Sequence, residues 1–92
     1  MTLPDTDIER CMLDLLSRRA PTSSICPSDV ARALVEEEDG WRASMPSVRQ
    51  VASRLAREGT IFITQGDAIV DADTTTHGPI RLRRGPSFPA AE

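Results

Sequence analysis

Three helix-period segments followed by two short alternating segments predict a mostly α domain with a small β-hairpin, an α+β fold. The third helical segment carries only positive charge, and the last strand ends in a run of arginines. A helix followed by an arginine-bearing hairpin is how a winged helix-turn-helix presents a recognition helix and a wing to a nucleic acid. The expected fold is therefore a winged helix-turn-helix with three helices and a short antiparallel wing.

Length and composition indicate a single domain. The chain has 92 residues, of which 39% are hydrophobic and 27% are charged, close to ordinary globular usage. We assign the domain to residues 1–85 and expect a disordered tail over residues 86–92, which are rich in proline and small residues. No apolar run approaches the roughly 20 residues of a membrane span, and residues 1–10 lack the pattern of a secretory signal. These features predict a cytoplasmic protein.

Charge is distributed unevenly along the chain. The formal net charge is −3, and all 11 basic residues are arginine. Residues 1–40 carry nine acids against four arginines, whereas residues 41–92 carry five acids against seven arginines. The acidic total argues against a strong general nucleic-acid binder, but electrostatic steering depends on local patches more than on the total. The second part of the chain is the one suited to an anionic ligand.

The first helix is expected over residues 7–19. Thr6 and Glu9 have the spacing of a capping box, in which each side chain binds the backbone amide of the other residue. Apolar residues then recur at helical spacing on one face: Ile8, Cys11, Met12, Leu15 and Leu16.

A second helix is expected after a very short strand at residues 25–26. Pro27 suits the first turn of a helix because its missing amide would be unpaired there, and Asp29 suits the positive helix end. We expect this helix to end near Glu36 and to be followed by a turn over residues 37–40.

The third helix is expected to begin near Ser44, with Pro46 in its first turn and Gly59 after its end. The buried stripe is predicted to be Met45, Val48, Val51, Ala52 and Leu55. At about 100° per residue, the side chains that point away from this stripe are Gln50, Ser53 and Arg57, with Arg49 and Arg54 on its flanks.

The remaining sequence predicts the wing. Residues 60–65 alternate, residues 66–67 form a turn signal, and residues 68–70 extend the hairpin. Residues 71–77 are expected to form a polar loop. The final strand alternates core-facing apolar residues with solvent-facing arginines, Ile80 and Leu82 with Arg81 and Arg83.

Several short motifs resemble a small bacterial winged-helix family known as a domain of unknown function. The motifs are Trp41-Arg42, Met45-Pro46, Val48-Arg49, Arg54-Leu55, Glu58-Gly59, Thr64-Gln65-Gly66 and Gly78-Pro79-Ile80-Arg81-Leu82-Arg83. The resemblance spans about residues 7–85. It implies a fold and no activity, because no established biochemical role belongs to that family.

We predict that the domain binds double-stranded DNA as a small regulator. The predicted contacts are Gln50, Ser53 and Arg57 towards the groove, Arg49 and Arg54 towards phosphates, and Arg81, Arg83 and Arg84 in the wing. Two other interpretations stay open for these side chains: helix arginines also solvate exposed faces, and strand arginines also protect sheet edges. The alternative function is a protein-interaction module in which the arginines meet carboxylates of a partner.

The sequence predicts no enzyme, no cofactor and no metal site. His77 is the only histidine and there are two cysteines, whereas a structural zinc takes four nitrogen or sulfur ligands. Cys26 precedes the second helix, where a helix dipole stabilises a thiolate, but Asp29 opposes this and a resolving cysteine is absent. We therefore expect Cys26 to be a small apolar residue that closes the core. Trp41 is expected to be a partly buried anchor rather than a stacking platform.

Overall fold

The structure, a computed structural model, describes residues 3–66, 68–70 and 79–89. Its elements in chain order are α1 (Asp5–Ser17), β1 (Ser24–Ile25), α2 (Pro27–Leu34), α3 (Glu38–Arg57), β2 (Ile61–Gln65), β3 (Ala68–Val70) and β4 (Arg81–Arg84). Three helices and a four-stranded antiparallel sheet make an α+β fold compatible with a winged-helix-like arrangement, which confirms the predicted fold class. Among the described helices, none is long and apolar enough to cross a membrane.

The sheet is larger than the predicted two-stranded wing. Its strand order is β1-β4-β2-β3, and all pairs are antiparallel. Leu82 of β4 pairs with Ile25 on one side and with Ile63 on the other, so the last strand lies inside the sheet. We call residues 66–80, which join β2 to β4 and include β3, the wing connection. Its sequence contains three aspartates and no arginine or lysine.

One hydrophobic core lies between the helices and the sheet. Each helix buries most of the stripe that its period predicts, and the predicted stripe residues Cys11, Leu15 and Met45 are partly buried against the core. The fully buried helical residues are Ile8, Met12 and Leu16 of α1, Val30 and Ala31 of α2, and Val48, Val51, Ala52 and Leu55 of α3. Ile25, Ile61, Ile63, Ile80 and Leu82 cover the sheet side of the core.

α1 begins at Asp5 and lacks the predicted capping box. Its N-cap is Pro4, and no side chain forms a capping hydrogen bond there. The carboxylate of Glu9 instead pairs with the guanidinium of Arg54 in α3. A charge-assisted bond between two helices replaces the local one, because a guanidinium binds a carboxylate more strongly than a neutral amide does.

α3 begins at Glu38, so the turn predicted over residues 37–40 is wrong. Gly40 lies inside the first turns of this helix. A Cβ atom at that position would lie 2.5 Å from Cγ1 of Val35, so the glycine is required by close packing against the preceding segment. Close packing of Gly40 against Val35 therefore accompanies a helix start that is earlier than the sequence predicts.

The predicted N-terminus of α3 lies within the helix. Ser44 does not cap a helix start, since its hydroxyl donates to the carbonyl of Trp41 at 2.8 Å. Pro46 is an interior helix residue and is exposed. The hydrogen bond that its ring removes is therefore lost on the solvent side of α3, where water can replace it.

The chain stays in contact with the domain beyond Gly85. The amide of Ser87 donates to the carbonyl of Gly59 at 2.9 Å, and half-buried Phe88 packs against the core. A Cβ atom at position 85 would collide with the Gly59 carbonyl oxygen, so only glycine lets the two segments approach. Ser87 and Phe88 thus contact the domain, the tail expected over residues 86–92 stays a prediction, and residues 90–92 lie outside the described part of the chain.

Candidate nucleic-acid interface

One surface of α3 lies opposite its buried stripe and carries most of the predicted helix contacts. Pro46, Arg49, Gln50, Ser53 and Arg57 line an open hollow of about 410 Å³ there. We call these five residues the α3 outer face. The structure thus brings together four of the five predicted contact residues of this helix, and it places Arg54 elsewhere.

The α3 outer face is chemically suited to an anionic, hydrogen-bonding ligand. The planar forks of Arg49 and Arg57 match a phosphate or the acceptor edge of guanine, and Gln50 matches the edge of adenine. Ser53 adds a hydroxyl that can donate or accept. Arg49 forms no ion pair with any residue that the structure describes.

Arg54 lies on the flank of α3 that faces α1. Its guanidinium pairs with Glu9 of α1 and with Glu58, the latter at 3.3 Å, and its side chain is 41% exposed. The hydrogen bond with Glu9 raises the pKa of Arg54 above its ordinary value, while partial burial acts in the opposite direction. Arg54 joins two helices in this structure, and its contact with a phosphate stays a prediction.

Arg81 and Arg83 lie on the sheet face opposite the core, because they alternate with buried Leu82. The guanidinium of Arg81 donates to the hydroxyl and the carbonyl of Ser24 and to Sγ of Cys26, each at 2.9 Å. It therefore ties β4 to the joint between β1 and α2. The half-buried guanidinium of Arg83 has no hydrogen bond or ion pair with other described residues.

Arg84 follows the inward alternation of β4 and reaches the end of α1. Its guanidinium donates to the carbonyls of Leu16, Ser17 and Arg19 at 3.1, 3.2 and 2.9 Å. No basic residue lies in the last turn of α1, so Arg84 supplies the positive charge that a helix C-terminus favours. It also lies over the Phe88 ring, 4.8 Å from the centroid. Arg84 thus packs against the helices rather than in the wing, contrary to its expected placement.

Two arginines that the sequence did not single out lie against Trp41, near the start of α3. The guanidinium groups of Arg32 in α2 and Arg42 in α3 lie over the Trp41 ring, 4.6 and 4.8 Å from its centroid. Trp41 is half-buried and packs against the core, as predicted for an anchor. Arg42 precedes Arg49 by seven residues, or about two helical turns, so the two lie on the same side of α3. This spacing predicts a shared face only if the helix begins before Trp41, which the sequence did not indicate.

Cys26 caps α2 instead of filling the core. Its amide donates to Oδ2 of Asp29 at 2.9 Å, and its carbonyl accepts from the Asp29 amide at 2.9 Å. Pro27 occupies the first turn of α2, as predicted. The residue that fills the core at this joint is Ile25, which is fully buried.

The described titratable side chains include a thiol, that of Cys11, where α1 meets α2. Cys11 is half-buried and its thiol lies 3.8 Å from the Val30 carbonyl; burial and the nearby Asp14 raise its pKa, while Arg18 lowers it. Among the described residues, no group of three or more His, Cys, Asp or Glu could hold a metal ion. His77 lies outside the described residues.

The fold and the α3 outer face define a small α+β domain with an arginine-bearing helix surface. The chain belongs to the family described as protein of unknown function (DUF3253), which matches residues 5–85. The match covers every helix and every strand that the structure describes. No curated protein matches the chain. Its function therefore has to be argued from the site itself.

Proposed function

We propose that this domain binds duplex DNA as a small transcriptional regulator, with α3 in the major groove. The observation that carries the proposal is the α3 outer face, which presents Arg49, Gln50, Ser53 and Arg57 around one open hollow on a 20-residue helix. An α-helix fits the major groove, which is about 12 Å wide. In this proposal the domain is a binding module without catalysis or a cofactor.

Position on the helix assigns a role to each contact residue. Gln50, Ser53 and Arg57 are assigned to base edges, because amide and guanidinium groups distinguish adenine and guanine in the major groove. Arg49 lies towards one side of the face and is assigned to a phosphate, which positions the helix without reading sequence. Arg83 is assigned to a wing contact, because its guanidinium is not engaged by the residues that the structure describes.

The test is the salt dependence of binding to a labelled duplex of random sequence, between about 50 and 200 mM salt. We expect affinity to fall steeply with salt, and Arg49→Ala to weaken binding to all sequences and reduce the slope by about one. Arg10→Ala, which removes the same charge from an exposed position of α1, is the matched control. Folded wild-type protein that binds no duplex at about 50 mM salt contradicts the proposal.

A second candidate is a protein partner whose carboxylates meet the α3 outer face. The observation that favours it is the wing connection, whose three aspartates would repel phosphates, together with the net charge of −3. A pull-down from nuclease-treated extract should then retain a stoichiometric partner, which the double variant Arg49→Glu, Arg57→Glu releases. A partner that the double variant still holds contradicts this candidate.

A further inference from the structure

The two flanks of the α3 outer face differ in how their arginines are paired. Arg42 and Arg49 lie on one flank, two helical turns apart, about 10 Å along the axis and about 20° around it. Arg54 lies on the other flank, about 140° around the axis from Arg49. Arg54 is bound by Glu9 and Glu58, whereas Arg49 has no ion pair among the described residues. Among the described residues, Arg42 on the first flank has one long ion pair, with Glu38 at 3.8 Å, so this flank is less neutralised than the one at Arg54.

The Trp41 ring contacts one arginine from α2 and one from α3, and we expect it to order both side chains. Arg32 and Arg42 are both exposed, and both guanidinium groups lie over the Trp41 ring within 5 Å of its centroid. Stacking on a ring holds the plane of a guanidinium and leaves its N–H edge available for a second ligand. A side chain that is already ordered loses less freedom when it binds.

We propose that one phosphate backbone of the bound duplex follows the row Arg32, Arg42 and Arg49, with Trp41 as the positioning residue of the first two. The proposal departs here from the predicted phosphate contact of Arg54, because Glu9 and Glu58 bind its guanidinium. This inference rests on the proposed DNA binding, and it fixes the side of α3 along which the backbone lies. Repeated N–H forks along one row match a polyanion of repeating phosphates, since each guanidinium can bind one of them.

Glu38 lies beside Arg42 in this row, and removing its charge should strengthen DNA binding instead of weakening it. Its carboxylate lies 3.8 Å from the Arg42 guanidinium, and both side chains are exposed, 72% and 62%. The carboxylate competes with a phosphate for Arg42 and repels the backbone. Glu38→Gln should therefore tighten binding and make the salt slope steeper.

The experiment measures the salt slope of binding to one random-sequence duplex for five single alanine variants. Arg32→Ala, Arg42→Ala and Arg49→Ala should each reduce the slope by about one and weaken binding to all sequences. Arg54→Ala and the α1 control Arg10→Ala should change the slope by less than about half of that amount. Thermal unfolding of each variant shows that the loss concerns binding.

Trp41 is tested by a conservative pair of substitutions. Trp41→Phe keeps an aromatic face under both guanidinium groups and should retain the wild-type slope. Trp41→Leu should lower the affinity but leave the salt slope unchanged. The charges of Arg32 and Arg42 remain in this variant, and only the ring that orders their side chains is lost. Should Trp41→Leu fail to fold, the arginine variants and Trp41→Phe still decide the matter.

The outcomes separate this inference from the proposed function. Wild-type protein that binds no duplex overturns both. Duplex binding in which Arg32→Ala and Arg42→Ala leave the slope unchanged, or in which Arg54→Ala reduces it as much as Arg49→Ala, overturns only the backbone path. Binding with the slope reduced by the three row variants alone supports it.

Discussion

Arginines occur on both α3 and β4, four among the 20 residues of the helix and three among the four residues of the strand, and their contacts differ from one residue to the next. On α3, Arg49 lies in an open hollow with no ion pair to any described residue. On β4, the guanidinium groups of Arg81 and Arg84 donate hydrogen bonds within the protein. Arg81 donates to Ser24, and Arg84 donates to the last carbonyls of α1. The comparison shows that a run of arginines near a predicted wing does not by itself indicate a ligand-binding surface. The guanidinium groups can instead bind acceptors within the protein.

The cause of the difference is the geometry of each element. Residues on the outer side of a helix that packs by one stripe are surrounded by solvent. A strand inside a sheet instead brings each side chain close to neighbouring strands and to the helix ends beneath it. Arg84 lies on the same face of β4 as Leu82, so its guanidinium reaches the carbonyls at the C-terminus of α1.

The largest effect on stability is expected for Arg84→Ala. The substitution removes the donors that bind three carbonyls at the end of α1, and hydrogen bonds to a charged group contribute roughly 1.5 to 3 kcal/mol. We expect the free energy of unfolding to fall by about 2 kcal/mol in chemical denaturation. Arg83→Ala, a neighbour on the same strand, is the control and should change it by less than about 0.5 kcal/mol. Equal losses for the two variants would break the comparison.

A smaller effect is expected for Arg81→Ala. Its three contacts join β4 to Ser24 and Cys26, but the side chain is exposed and water replaces part of what is lost. The free energy of unfolding should fall by about 1 kcal/mol, with no change in the slope of duplex binding. If Arg81→Ala weakens duplex binding without lowering stability, Arg81 contacts the ligand as the α3 residues are proposed to do, and the predicted difference between the two elements is wrong for this residue.

The smallest effect on stability is expected for Arg49→Ala. This side chain makes no ion pair with the described residues, and surface substitutions of this kind usually change stability by less than about 0.5 kcal/mol. The midpoint and the slope of urea unfolding should both match those of the wild type. A midpoint shift as large as that of Arg84→Ala would show that the α3 outer face holds the fold together.

Much of the fold follows from sequence patterns, because periodicity reports which residues face a core. The stripe of α3 and the alternation of β4 were predicted from spacing alone, and so was the common face of Arg49, Gln50, Ser53 and Arg57. Gly40 and Pro46 misled the prediction of the α3 boundary. Glycine is typical after the end of a helix and proline in a first turn, and here packing against Val35 and exposure to solvent make Gly40 and Pro46 acceptable inside one.

The roles of the individual arginines could not be predicted from sequence. Arg84 and Leu16 are 68 positions apart in the chain, and Arg54 and Glu9 are 45 apart. Nothing in the local pattern of either segment shows that they meet. Pairing across the core, rather than residue type, decides which arginines are available to a ligand.

The most direct test of this account is the salt dependence of duplex binding by Arg49→Ala and Arg84→Ala, measured side by side at a temperature where both variants are folded. The account predicts that Arg49→Ala reduces the slope of log affinity against log salt by about one, while Arg84→Ala keeps the wild-type slope. A reduced slope for Arg84→Ala with an unchanged slope for Arg49→Ala would contradict it.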